Sequence, residues 1–167
     1  WLLFTDKNLY RNEINIILNE IIEYSISTLY QKDDFCWDDH AISERISVLL
    51  EIIEDDDFYF DRKKTLIHLE SLYKTVLNFL DMKKFEQNNH KIFHYCAIIS
   101  FNSYHLKDSI IKVNLEELEN SFKQLIDIKT GFSFEQAISY YNFDLILLRR
   151  VEEFLKSISL NFYNLSY

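Results

Sequence analysis

The chain has 167 residues, of which 48% are hydrophobic and 27% charged, and a formal net charge of −9. That length and apolar content suit a single domain with a substantial core, and the acidic balance excludes a nucleic-acid-binding surface spread over the whole molecule. With no proline and one glycine, Gly131, a β-rich chain with many tight turns is excluded and an all-α class is expected. No apolar run approaches the roughly 20 residues of a membrane span.

The first helix is expected from Asp6 to about Gln31, where Leu9, Ile14, Ile17, Leu18, Ile21, Ile22 and Leu29 recur near the helical period and Asp6 suits the N-cap. After the acidic break at Asp33-Asp34, Trp37-Asp38-Asp39-His40 leads into a second helix with an apolar stripe of Ile42, Ile46, Leu49, Leu50 and Ile53, ended by Glu54-Asp55-Asp56-Asp57. A third helix, from Asp61 to Leu80, turns Leu66, Leu69, Leu72, Tyr73, Val76 and Leu80 inward, toward the second. The polar stretch from Phe85 to His90 enters a buried fourth helix through Ile92, Phe93, Tyr95, Cys96, Ile98 and Ile99, with Asn88 as N-cap. A fifth helix spans about Leu106 to Ile128 through Ile110, Ile111, Val113, Leu118, Phe122 and Leu125, with Thr130-Gly131 as its stop. The last runs from Phe134 through Tyr140, Phe143, Leu147, Val151 and Leu155 to about Ser159. Antiparallel α-hairpins stacked side by side fit this succession.

Asn88-Asn89-His90 at a helix start is the most unusual local chemistry. Two amides and an imidazole there stand beside unpaired backbone N–H groups and the positive end of the dipole, where anions are favoured and imidazolium is not. His90 is thereby suited to act as a base; the plainer alternative has Asn88 capping, Asn89 turning and His90 a satisfied polar side chain. His90 and His94 share a helical face, but Lys91 stands where a zinc protease carries its glutamate and no third ligand is signalled nearby, so no metal is expected. His94 is expected to pack or hydrogen-bond in the helix groove. Cys36 and Cys96 lack CxxC spacing and are expected as buried free thiols.

Trp37-Asp38-Asp39-His40 with Arg45, then His68-Leu69, then Phe85 to Phe93 as FEQNNHKIF resemble, in order and spacing, the α-domain of heparinase II/III-type polysaccharide lyases. A later segment, Gly131-Phe-Ser-Phe-Glu135 leading to Tyr140-Tyr141, is similar to that family's tyrosine-bearing segment. These blocks span Trp37 to Arg149. Two positions differ from the family pattern: Lys91 stands where glycine commonly follows the Asn-His pair, and Tyr141 where histidine often follows the tyrosine.

The resemblance implies one α-helical domain over residues 1–167, part of an incomplete (α/α) toroid, in a longer lyase whose C-terminal β-sandwich is absent here, with a periplasmic or secreted location. It implies an acidic polysaccharide as partner, no cofactor in this part, and β-elimination at a uronic acid. Asn89 would neutralise the sugar carboxylate, His90 or Tyr140 would remove the C5 proton, and Tyr140 would protonate the leaving oxygen. Trp37, His40, Arg45 and Glu135 are candidate substrate-binding residues, with His40 and Arg45 read as sharing one face of the second helix; the plainer alternative for Trp37, His40 and Arg45 is core packing and an internal ion pair with Asp38 or Asp39. Lys83, Lys84 and Lys91 cluster around the loop and would attract a polyanion. The alternative is a non-catalytic helical module binding an acidic glycan or a protein partner.

Overall fold

The computed structural model describes residues 11–27, 38–54, 58–82, 89–127, 129–130 and 138–160, with residues 11, 14 and 138–141 described by backbone only. Among them are six helices: α1 (Arg11–Ser27), α2 (Asp39–Glu54), α3 (Arg62–Leu80), α4 (His90–Tyr104), α5 (Asp108–Leu125) and α6 (Ile138–Ser157). The protein is all-α over this extent. None of these helices is long and apolar enough to cross a membrane.

α4 is the hub. Its sequence is apolar almost all round, the pattern of a helix enclosed by neighbours, and it packs against α2, α3 and α5. Ile92, Tyr95 and Ile99 join Ile111, Leu115, Leu118 and Phe122 of α5 and Leu147, Leu148, Val151 and Leu155 of α6 in one core. Ala97, Ile98 and Phe101 join a second core with Ile22 of α1, with Ile42, Ile46, Leu49, Leu50 and Ile53 of α2, and with Leu69, Leu72 and Val76 of α3. α2 and α3 pack together as their stripes predict.

The connector before α3 is held by side chains. Asn15 accepts from the Tyr59 N–H and Asn19 donates to the Tyr59 carbonyl, both at 2.8 Å, which satisfies the backbone of a residue outside any helix. Asp61 then caps α3 by accepting from the Lys64 N–H at 3.0 Å.

Several sequence expectations are corrected. In α1, Leu18 and Ile22 are buried, but Ile17 and Ile21 face solvent together with Ile16; a helix this rich in isoleucine carries no single apolar stripe from which to read its inner face. In α5, Ile110 and Val113 are likewise exposed. The fifth helix starts at Asp108 rather than Leu106, because residues 105–107 form the terminus of α4. The N-cap position of α4 is held by Asn89 rather than the expected Asn88, and α5 ends at Leu125 with an extended C-cap residue, Ile126, short of the stop expected at Thr130-Gly131; Asp6, expected as the first N-cap, lies outside the described residues.

Candidate active site

The first turns of α2 and α4 meet, and the side chains there converge on Asp39. Its Oδ2 accepts from His90 Nδ1–H at 2.7 Å and from His94 Nε2–H at 2.9 Å. Residues four apart lie one above the other on a helix, so both rings of α4 reach one oxygen of α2. His94 is fully buried, Asp39 is 11% exposed and His90 31%. His40 lies over His90 with ring centroids 3.8 Å apart, and against Phe93 at 4.5 Å; Phe79 of α3 closes the far side of His94 at 5.5 Å.

Burial works against ionising Asp39, but the hydrogen bonds from His90 and His94 and the charge of His90 and His40 outweigh it, so the carboxyl titrates below its ordinary range. An ionised carboxylate only accepts hydrogen bonds. That fixes the protonated nitrogen of each ring facing it. Burial pushes both His40 and His94 below the ordinary histidine range; His90 adds to the shift at His40, and the Asp39 contact opposes it at His94. His40 Nε2 is buried with no hydrogen-bond partner among the described residues.

Asn89 occupies the N-cap position of α4 and makes no side-chain capping hydrogen bond. Its amide is therefore not engaged by the helix it precedes, although asparagine is among the best capping residues.

Of the residues singled out in the sequence, Asn89, His90 and His40 come together. Arg45 goes elsewhere: its charge acts on His68 of α3. His40 and Arg45 are five residues apart, which leaves about 140° between them around the helix rather than a common face. His68 is 3% exposed and shares a 2.6 Å hydrogen bond with the Ser25 hydroxyl of α1, and burial together with Arg45 lowers its pKa to about 4. Tyr140 belongs to α6 by its backbone. Trp37, Glu135, Lys83, Lys84 and Cys36 lie outside the described residues; Lys91 is half-buried on α4. Cys96 is a free thiol pushed up to about 12 by burial and by Glu44, which leaves little reactive thiolate.

The role of Asp39 as acceptor for both rings depends on α2 packing against α4 and is not apparent from the sequence. The available signal was the pair His90 and His94, whose shared face called for one partner opposite, and a carboxylate in the first turn of a neighbouring helix is such a partner.

Beside the site, Ser43, Glu44, Ser47 and Glu51 of α2 face Phe93, Cys96 and residues of α6, including Arg150, across a cleft of about 200 Å³. It adjoins a second cleft of about 570 Å³ that shares Ser47, Glu51 and Phe154 and reaches Glu54, Ser103 and Ser157. No protein-family model, no curated protein and no solved structure matches this chain.

Proposed function

We propose that this chain is the helical part of a uronate-polysaccharide lyase, its helices forming a section of an (α/α) toroid, and that the start of α4 performs β-elimination. The observation that carries this reading is the Asp39–His90 contact at 2.7 Å beside an Asn89 amide not used for capping. With Nδ1–H donated to Asp39, a neutral His90 carries its lone pair on Nε2, the arrangement of a base whose tautomer is held by a carboxylate. The Asn89 amide would donate to the uronate carboxylate, together with backbone N–H groups at the helix start, and so stabilise the charge that develops when C5 loses its proton. The C5–H electron pair becomes the C4–C5 double bond, the C4–O bond breaks, and the Tyr140 hydroxyl protonates the departing oxygen. His40, packed on His90, would hold the ring in place.

The test is near-UV absorbance of the unsaturated uronate during incubation of the longest gene product with alginate, heparan sulfate, hyaluronan and chondroitin. A signal from one polymer is expected, abolished by His90→Ala and Tyr140→Phe and lowered at least about 100-fold by Asp39→Asn, the scale of positioned acid–base catalysis. No product from any of the four with folded protein would sink the proposal. It would favour a helical interaction module, a reading supported by the Glu44, Glu51 and Glu54 lining of the clefts, which repels a polyanion.

A further inference from the structure

We propose that Asp39, His40 and His90 form a mononuclear site for a divalent first-row transition metal of the zinc class. Each of the three offers one ligand atom, and these atoms lie within 4.8 Å of one another. Bond lengths of about 2.0–2.1 Å in a tetrahedral centre place neighbouring donors about 3.3 Å apart. Small side-chain rotations at the starts of two helices cover the difference, and they would part the His40 and His90 rings, which lie 3.8 Å apart.

Three independent features favour a cation here over a purely structural polar cluster. His40 Nε2 is shut off from water with no hydrogen-bond partner among the described residues. A buried polar atom left so is destabilising, and a metal bond would remove that cost. His94, on the same Asp39 oxygen at 2.9 Å and with no exposed side-chain surface, already does what outer partners do at metal centres: it orients a ligating carboxylate from behind. Finally, the donor set is two imidazoles and one carboxylate. Calcium and magnesium take oxygen ligands, whereas imidazole nitrogen selects zinc, cobalt, nickel and copper.

Three protein ligands leave a fourth position open on the side where His90 is part-exposed, so a water or a ligand carboxylate can complete the shell. The inference stands apart from the lyase reading. A metal held by His90 removes that ring from proton transfer, so bound zinc would switch elimination off, and metal binding is measured without reference to activity.

Titration with Co²⁺, followed by its visible d–d absorption and by competition with Zn²⁺, tests the site directly. One equivalent of low-coordinate Co²⁺ is expected, displaced by Zn²⁺. Affinity should fall at least about 10-fold in His40→Ala, since removing even a supporting group costs that much, and should be unchanged in His105→Ala, at an exposed histidine outside the cluster. In the unaltered protein, ring protons of His40 and His90 should show paramagnetic shifts on Co²⁺ addition, a readout independent of whether variants fold. Absence of saturable binding, equal affinity in His40→Ala, or shifts confined to other histidines would overturn the proposal.

Discussion

Replacing Asp39 by alanine takes the hydrogen-bond acceptor away from two imidazoles. His90, at 31% exposure, can turn to water; His94, with none, keeps a buried N–H without that acceptor. A buried donor that loses its partner costs about 1–3 kcal/mol. Asp39→Ala should therefore lower the urea midpoint by an amount of that size, while His90→Ala costs less; the reverse order would show that Asp39 matters to His90 alone. His68 supplies a second prediction. Free in the unfolded chain it titrates near the ordinary histidine value of 6.5, and folded near 4, so between these values the unfolded chain binds more protons. Stability from this group is complete above about pH 6.5 and falls as the pH drops toward 4, by about 2 kcal/mol between pH 7 and pH 5. The lowered pKa of His40 and of His94 acts in the same direction. Urea midpoints at pH 7 and pH 5 should fall more steeply for the unaltered protein than for His68→Gln, whose amide can still bond Ser25; equal falls would remove His68 as the titrating group.

Helix ends are where the sequence was least informative. The chain has one glycine, and glycine is the ordinary marker of a left-handed C-terminal cap. α4 and α6 close with such caps all the same. Leu106 has φ 52° and Ser159 φ 59°, and the cap hydrogen bonds run from the Lys107 N–H to the Asn102 carbonyl at 3.0 Å and from the Leu160 N–H to the Leu155 carbonyl at 2.7 Å. Nothing about leucine announces this conformation, so a helix start expected at Leu106 is in fact a helix end. A left-handed non-glycine residue costs about 1–2 kcal/mol, and Leu106 is 86% exposed, so it contributes little burial in return. After the entropy that glycine adds to the unfolded chain, Leu106→Gly should stabilise by about 0.5–1 kcal/mol in chemical denaturation; a destabilisation would mean that the side chain is held by contacts. α2 and α3 were legible for the opposite reason. Ile42, Ile46, Leu49, Leu50 and Ile53 keep strict helical spacing, as do Leu69, Leu72 and Val76, and all eight are buried. The site was legible in its parts. Asn89 and His90 stand out as polar residues before an apolar run, but Asp39 lies some fifty residues earlier in the chain, and its role exists only once α2 packs on α4.

On the scale of the whole molecule, two cores share one helix. Ile98 and Ile99 are adjacent in sequence and about 100° apart around α4, and they enter different cores: Ile98 packs with α1, α2 and α3, Ile99 with α5 and α6. Both are at most 1% exposed. Cutting either to alanine removes the same atoms and leaves a cavity, at a cost of about 2–5 kcal/mol. If α4 couples the cores, loss on one side weakens both, because neither set of neighbours can keep its packing after α4 has left the other. Ile98→Ala and Ile99→Ala should then show one unfolding transition each, shifted by similar amounts, with helix loss by circular dichroism coincident with the appearance of Cys96 reactivity toward a thiol reagent. An early partial loss of helix in Ile99→Ala, with amides of α2 and α3 still protected from exchange, would instead mean that α5 and α6 melt as a separate unit. The starts of α2 and α4 would then keep Asp39 and its histidines together after α5 and α6 had gone, and the site would outlast part of the fold; in the coupled molecule it is lost in the same step as the cores.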